Sequence, residues 1–300
     1  MQFDFQKIRQ IWGVRYVIVL LKKVVIPGLK GFSLYDLMDM YIRGLIKGAI
    51  TIRASAISYS LFMAFFPFLL FLMNLIPFIP VEGFQEAFLS FLYELLPPKT
   101  LTFFDAIISD IVNKQRVGLL SSTFMLSLLF MSNGINAVFE GFSNSYHTKI
   151  TRGVVQQYGV SIVVAVIVAL FLFINVYVNL YFVFLVETYR EYVIGDFFYW
   201  LKIGRFVLFF LMIYVTMAIL FYFGTKDRKG QSFFSVGSLL TTVLVIVTTY
   251  LFAFYINNFS QYNELYGSIG ALLIFMIYIW INSNLVLLGY ELDASLRRLK

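Results

Sequence analysis

The sequence predicts an all-α integral membrane protein: a six-transmembrane-helix bundle with N-terminal interfacial amphipathic helices and an external helical hairpin. Three observations carry this expectation. Residues of the AVILMFWYC class make up 60% of the 300 and charged residues only 13%, where soluble chains carry about 45–50% and about 25%. Six long runs, 54–81, 117–139, 153–186, 206–225, 230–263 and 265–290, contain no Asp, Glu, Lys or Arg. Each has at least the roughly 20 residues that a helix needs to cross about 30 Å of hydrocarbon. The remaining charges, finally, sort by sign between alternate connecting segments.

That sorting gives an orientation. With residues 1–53 in the cytoplasm, six crossings also return the C-terminus there. The segments on that side then hold 17 Lys and Arg, and the opposite side holds 6. Acidic residues divide 7 and 9, so the formal net charge of +7 resolves into +10 inside and −3 outside. This is the positive-inside pattern of a cytoplasmic-membrane protein. The basic balance therefore reads as attraction to anionic lipid heads at the inner face. No segment is long enough for the basic folded module that nucleic-acid binding requires.

In chain order, residues 1–53 form the cytoplasmic, interfacial region. Ser33 followed three residues later by Asp36 is a capping-box pattern. Beyond it, Asp36, Asp39, Arg43 and Lys47 make one stripe, and Leu34, Met38, Tyr41, Leu45 and Ile52 another, which is the signature of an amphipathic helix. Residues 14–26 form a second candidate interfacial segment. No apolar span precedes residue 54, so no signal peptide is expected.

The membrane domain, 54–290, has expected spans at about 54–80, 117–139, 158–186, 206–225, 232–256 and 267–290. The first contains Tyr59 and, in its interior, Pro67, a candidate kink because proline cannot donate to the carbonyl one turn back. Between the first two spans, 82–116 carries two apolar stripes at helical spacing, separated by Pro97 and Pro98. It reads as an external helical hairpin, too small for an enzyme domain of its own. Residues 291–300 are the expected cytoplasmic tail.

Polar residues within spans are costly and mark places to look for function. Asn133, Asn136 and Glu140 share one face of the second span, and Asn175 and Asn179 one face of the third. Asn282, Ser283 and Asn284 lie on the sixth. Tyr59, Asn136, Asn175, Asn179 and Asn282 are thus candidates for lining a polar substrate cavity, with interhelical hydrogen bonding as the structural alternative. Glu291 ends the sixth span, Arg53 precedes the first and Arg152 precedes the third. An ion pair of Glu291 with Arg53 or Arg152 would ease the cost of a carboxylate near lipid.

Catalytic chemistry finds little support. The chain has no cysteine and one histidine, His147. This excludes thiolate sites and sites needing two histidines, and no metal site or cofactor is expected. The spans hold no acid or base except at their rims, where general acid–base work would need a cluster.

With the spans placed, the last stretch carries a motif: Tyr266-Gly267, Gly270, Trp280 and Gly289 with Glu291 two residues on. Tyr59 and Pro67 in the first span, Leu96-Pro97 outside and Asn144 with Tyr146 after the second span add to it. In these features the chain, over about residues 40–296, resembles the YihY/virulence factor BrkB family. It departs from that pattern at Ala64, where serine is frequent, at Tyr290, where alanine is frequent, and at Asp293, where a neutral polar residue is usual. The resemblance implies an all-helical bacterial inner-membrane protein of a family linked to lipid or envelope transport. It also implies a motif role for Gly289 and the other glycines, which would permit close helix approach or a turn at the outer end. An older family label of ribonuclease finds no matching residues. The expected function is transport or flipping of a lipid-like envelope substrate; the alternative is a non-catalytic scaffold in envelope assembly.

Overall fold

The computed structural model describes residues 12–25, 31–36, 38–39, 49–75, 117–143, 152–188, 196–225, 232–259 and 268–298. The expected hairpin at 82–116 and the motif residues Tyr266 and Gly267 lie outside them. The main elements are helices α1 (Trp12–Lys23), α2 (Ala49–Leu75), α3 (Val117–Ser143), α4 (Val154–Thr188), α5 (Asp196–Gly224), α6 (Val236–Phe259) and α7 (Ser268–Arg298). Six of them, α2 to α7, are long and apolar enough to cross a membrane. The all-helical membrane architecture is therefore as the charge gaps indicate.

These segments are helical because hydrocarbon offers no partner for an open backbone, and a helix satisfies its own. The hydroxyls inside them are satisfied in the same way. Ser127, Ser132, Thr241 and Thr249 donate to the carbonyls of Phe124, Leu128, Gly237 and Val245 on their own helices. Helix α2 continues through Pro67 without interruption.

The charge-free runs do not mark the helix ends. Helix α2 begins at Ala49 ahead of Arg53, α3 continues past Glu140 to Ser143, and α7 runs through Glu291 and Asp293 to Arg298. A charge ends the part that fits hydrocarbon, whereas backbone hydrogen bonding goes on wherever the side chain finds a partner.

Adjacent helices pack in a ring: α2 on α3, α3 on α4, α4 on α5, α5 on α6, α6 on α7 and α7 back on α2. Helix α3 also reaches α5 and α7 across the ring. The densest packing lies where α2 begins and α3, α5 and α7 end. There Ile57, Phe139, Phe142, Phe221, Leu287 and Tyr290 are fully buried. The opposite faces carry exposed Met125, Leu129, Val247, Leu251 and Phe254, an apolar wall suited to lipid.

Helices α6 and α7 touch backbone to backbone. A Cβ on Gly237 would stand 2.6 Å from the Gly289 carbonyl, and one on Gly289 would stand 1.7 Å from the Thr241 hydroxyl. Only glycine permits that approach. Helix α6 is also capped where it starts: the Ser238 amide donates to the Ser235 hydroxyl (3.1 Å) and the Ser235 amide to the Ser238 hydroxyl (3.2 Å). This reciprocal arrangement satisfies two orphan donors at a buried helix end.

Ahead of the bundle, α1 leads into a turn in which Gly31 takes a positive φ of 85°. Val25 then pairs with Ser33, and the Leu34 amide donates to the Val24 carbonyl. Ser33 and Asp36 form the capping box that their spacing implies: the Ser33 amide and hydroxyl both donate to Asp36 Oδ2, at 2.9 and 2.6 Å, and the Asp36 amide donates back to the Ser33 hydroxyl.

Candidate functional site

Two polar groupings lie at the end of the bundle where α2 and α4 begin and α3 and α7 end, one sealed and one open. The sealed one joins α2, α3 and α7. Arg53 donates from Nη1 to the Gly141 carbonyl (2.7 Å) and from Nη2 to Glu291 Oε1 (3.1 Å). Glu291 is only 5% exposed. A carboxylate so placed is tolerable because the guanidinium neutralises it and is itself held by a helix-terminal carbonyl.

Beside the pair, Tyr290 lies flat on Phe142, with ring centres 3.9 Å apart, and meets the edge of Phe221 at 5.7 Å. Its hydroxyl is 3.3 Å from that of Thr225 at the end of α5. Arg297 covers the Tyr290 ring at 5.5 Å and pairs with Asp293 at 3.6 Å. Tyr290 and Asp293, two of the departures from the family pattern, are thus tied together through Arg297. Arg152 donates at 2.6 Å to the Phe223 carbonyl and at 2.9 Å to that of Thr225. It thereby closes the C-terminal end of α5, where backbone carbonyls lack helical donors.

The open grouping is a ladder between α3 and α4. The Tyr158 hydroxyl bonds to Asn133 Oδ1. Gln157 Nε2 donates to Asn136 Oδ1 (3.0 Å), and Asn136 Nδ2 donates to Glu140 Oε1 (3.0 Å). Gln157 is buried, Asn133 and Asn136 are half-buried, and Tyr158 and Glu140 are exposed. Asn133, Asn136 and Glu140 fall on one face of α3 because they are three and four residues apart. The ladder rises about 10 Å along the axis from Glu140 to Asn133. One turn further, the same two stripes continue as Leu129 and Ile162, 57% and 44% exposed. The seam between the two helices is thus an amphipathic surface groove, polar where α3 ends and α4 begins and apolar one turn beyond.

The other candidates from the sequence are dispersed. Tyr59 is 55% exposed on the outer wall of α2. Asn282 donates to the Tyr278 carbonyl of its own helix, and its buried Oδ1 accepts no hydrogen bond among the described residues. Gly270 is buried near the start of α7. Asn175 and Asn179 lie on α4, but their side chains fall outside the described residues. Of the candidate asparagines, Asn136 is seen in an interhelical network together with its neighbour Asn133, and their partners on α4 are Gln157 and Tyr158 respectively. Residues 153–158 precede the expected third span, and nothing in their local pattern names α3 as the neighbour.

Comparison with known proteins agrees with this architecture. Residues 42–300 match the family described as virulence factor BrkB. A ribonuclease-like protein by name, YfkH of Bacillus subtilis (strain 168), is 23% identical over 103 residues. The match covers 34% of this chain and 37% of that protein, so the chain spans little more than a third of the relative's length. No solved structure matches the chain. With the family covering six membrane-length helices and the Arg53–Glu291 cluster, the chain belongs to the virulence factor BrkB family of membrane proteins.

Proposed function

We propose that the protein carries or flips a lipid-like amphiphile within the bacterial inner membrane, both termini facing the cytoplasm. In this reading residues 54–290 are the membrane domain, 1–53 an interfacial region and 291–300 the inner tail. The observation that carries it is the α3–α4 groove. Amides in the wall of an apolar bundle are costly, and here they stand half-open to the surroundings instead of facing inward. An amphiphile suits such a surface: its head replaces water on the ladder while its chain stays against Leu129 and Ile162.

The residue types support transport over catalysis. Amides and hydroxyls bind by hydrogen bonding but do not exchange protons near neutral pH, and the ladder holds a single carboxylate. The sealed cluster of Arg53, Glu291 and Tyr290 supports the reading in another way, by holding the inner ends of α2, α3 and α7 together while the neighbouring groove stays accessible.

The test is reconstitution into vesicles carrying a headgroup-labelled phospholipid. The expected outcome is transbilayer equilibration faster than in protein-free vesicles. Equal rates would remove the proposal, and a stoichiometric partner retained in the same preparation would then favour the scaffold reading.

A further inference from the structure

Within the groove, the direction of the hydrogen bonds sets its chemical preference. Asn136 accepts from Gln157 and donates to Glu140, and Asn133 accepts from Tyr158. The chain of donation that starts at Gln157 ends on the Glu140 carboxylate. A carboxylate accepts at about four lone-pair sites, and the Asn136 amide occupies one position on Oε1. Glu140 is exposed at the mouth of the groove. It is also the one acid among the ladder's carboxyl, amide and phenol groups, on a side of the protein whose loops read as strongly basic.

An anionic head would be attracted to a basic surface in general but would meet the Glu140 charge at this polar face. A head with a primary ammonium finds a carboxylate and amide oxygens within one helical turn. Discrimination of this kind rests on an unfavourable element against the wrong ligand as well as a favourable one for the right ligand.

We infer that the α3–α4 groove binds an amphiphile with an amine-bearing headgroup. Its ammonium sits at Glu140 beside Asn136, and its hydrocarbon chain runs along Leu129 and Ile162. This rests on the lipid-handling reading above and names the substrate class for the same groove.

The test uses the full chain purified in a neutral maltoside detergent doped with equal amounts of phosphatidylethanolamine and phosphatidylglycerol, with bound lipid counted by native mass spectrometry. The amine lipid is expected to be retained at least about fivefold over the anionic one, the scale of one partly exposed charge contact. Glu140→Gln is expected to abolish the preference without changing elution or helix content. Leu129→Trp, which fills the apolar half, is expected to lower retention of both lipids together. Equal retention by the native chain, preference for the glycerol lipid, or an unchanged ratio in Glu140→Gln would each overturn the inference. The two levels fail separately: vesicle transport without headgroup preference leaves the lipid-handling reading standing and sinks this one. Absence of both transport and retained lipid sinks both.

Discussion

The α2–α3–α7 seam and the α3–α4 groove share one helix and place its polar residues in opposite conditions. On one side of α3 the Gly141 carbonyl and the buried Phe142 ring serve Arg53 and Tyr290. On the other side, Asn133, Asn136 and Glu140 bond to neighbours and stay partly open. In the seam Arg53 and Glu291 are paired and largely buried, so loss of one leaves a buried charge behind. In the groove the surroundings can replace a lost partner, so loss should cost little stability and show instead as altered binding. Burial thus separates what holds the bundle together from what is free to act.

The largest expected effect breaks the seam. Arg53→Ala leaves Glu291 buried without its guanidinium and should destabilise the protein by about 3–5 kcal/mol, read as a lower unfolding midpoint in detergent. The double variant Arg53→Met with Glu291→Leu should recover most of that loss, and no recovery would show that the pair does more than neutralise itself. Next comes Gly289→Ala, whose methyl meets the Thr241 hydroxyl. Forcing α6 and α7 apart should cost about 1–3 kcal/mol, and a midpoint unchanged from the native chain would contradict the backbone contact.

Smaller effects sharpen the contrast. Tyr290→Phe removes the hydroxyl contact to Thr225 but keeps the stacking, an expected loss of about 0.6 kcal/mol. Asn136→Leu should be comparably mild in stability while lowering vesicle transport, the reverse of the balance expected for Arg53→Ala. A loss of stability in Asn136→Leu as large as in Arg53→Ala would erase the distinction between the regions.

The smallest effect lies outside both. Hydrogen bonds from Ser33 hold the Asp36 carboxyl below its ordinary pKa of 3.8. The capping box is therefore fully stabilising above that value and loses its contribution as pH falls through the lowered one. Amide exchange at residues 33–36 should speed up only under strongly acid conditions, and Asp36→Asn should remove the pH dependence.

Much of this molecule is legible in its residues. Missing charge locates the six long helices, since a charged side chain in hydrocarbon is penalised wherever it falls. The Ser33–Asp36 box and the stripe of Asn133, Asn136 and Glu140 are local patterns within a turn or two. What is not legible is long-range. Gln157 meets Asn136, Tyr290 meets Thr225, and Gly237 meets Gly289 because of which helices adjoin and at what height. The helix ends were blurred for a related reason. Glu291 looks like an end until Arg53 is seen opposite it, because a charge continues a helix into the rim only when another element neutralises it.

Helix α7 has 31 residues, about 46 Å at 1.5 Å per residue, where typical hydrocarbon is about 30 Å thick. It starts at Ser268, and Glu291 stands about 35 Å further along the axis. A helix that spans an average bilayer from its start would therefore carry the Arg53–Glu291 pair close to one edge of the hydrocarbon. In a thicker membrane the same pair is drawn below the headgroups, where separating its charges is costlier. Bilayer thickness is then expected to set how tightly the start of α2 and the end of α7 are clasped, and a graded series of acyl-chain lengths measures it.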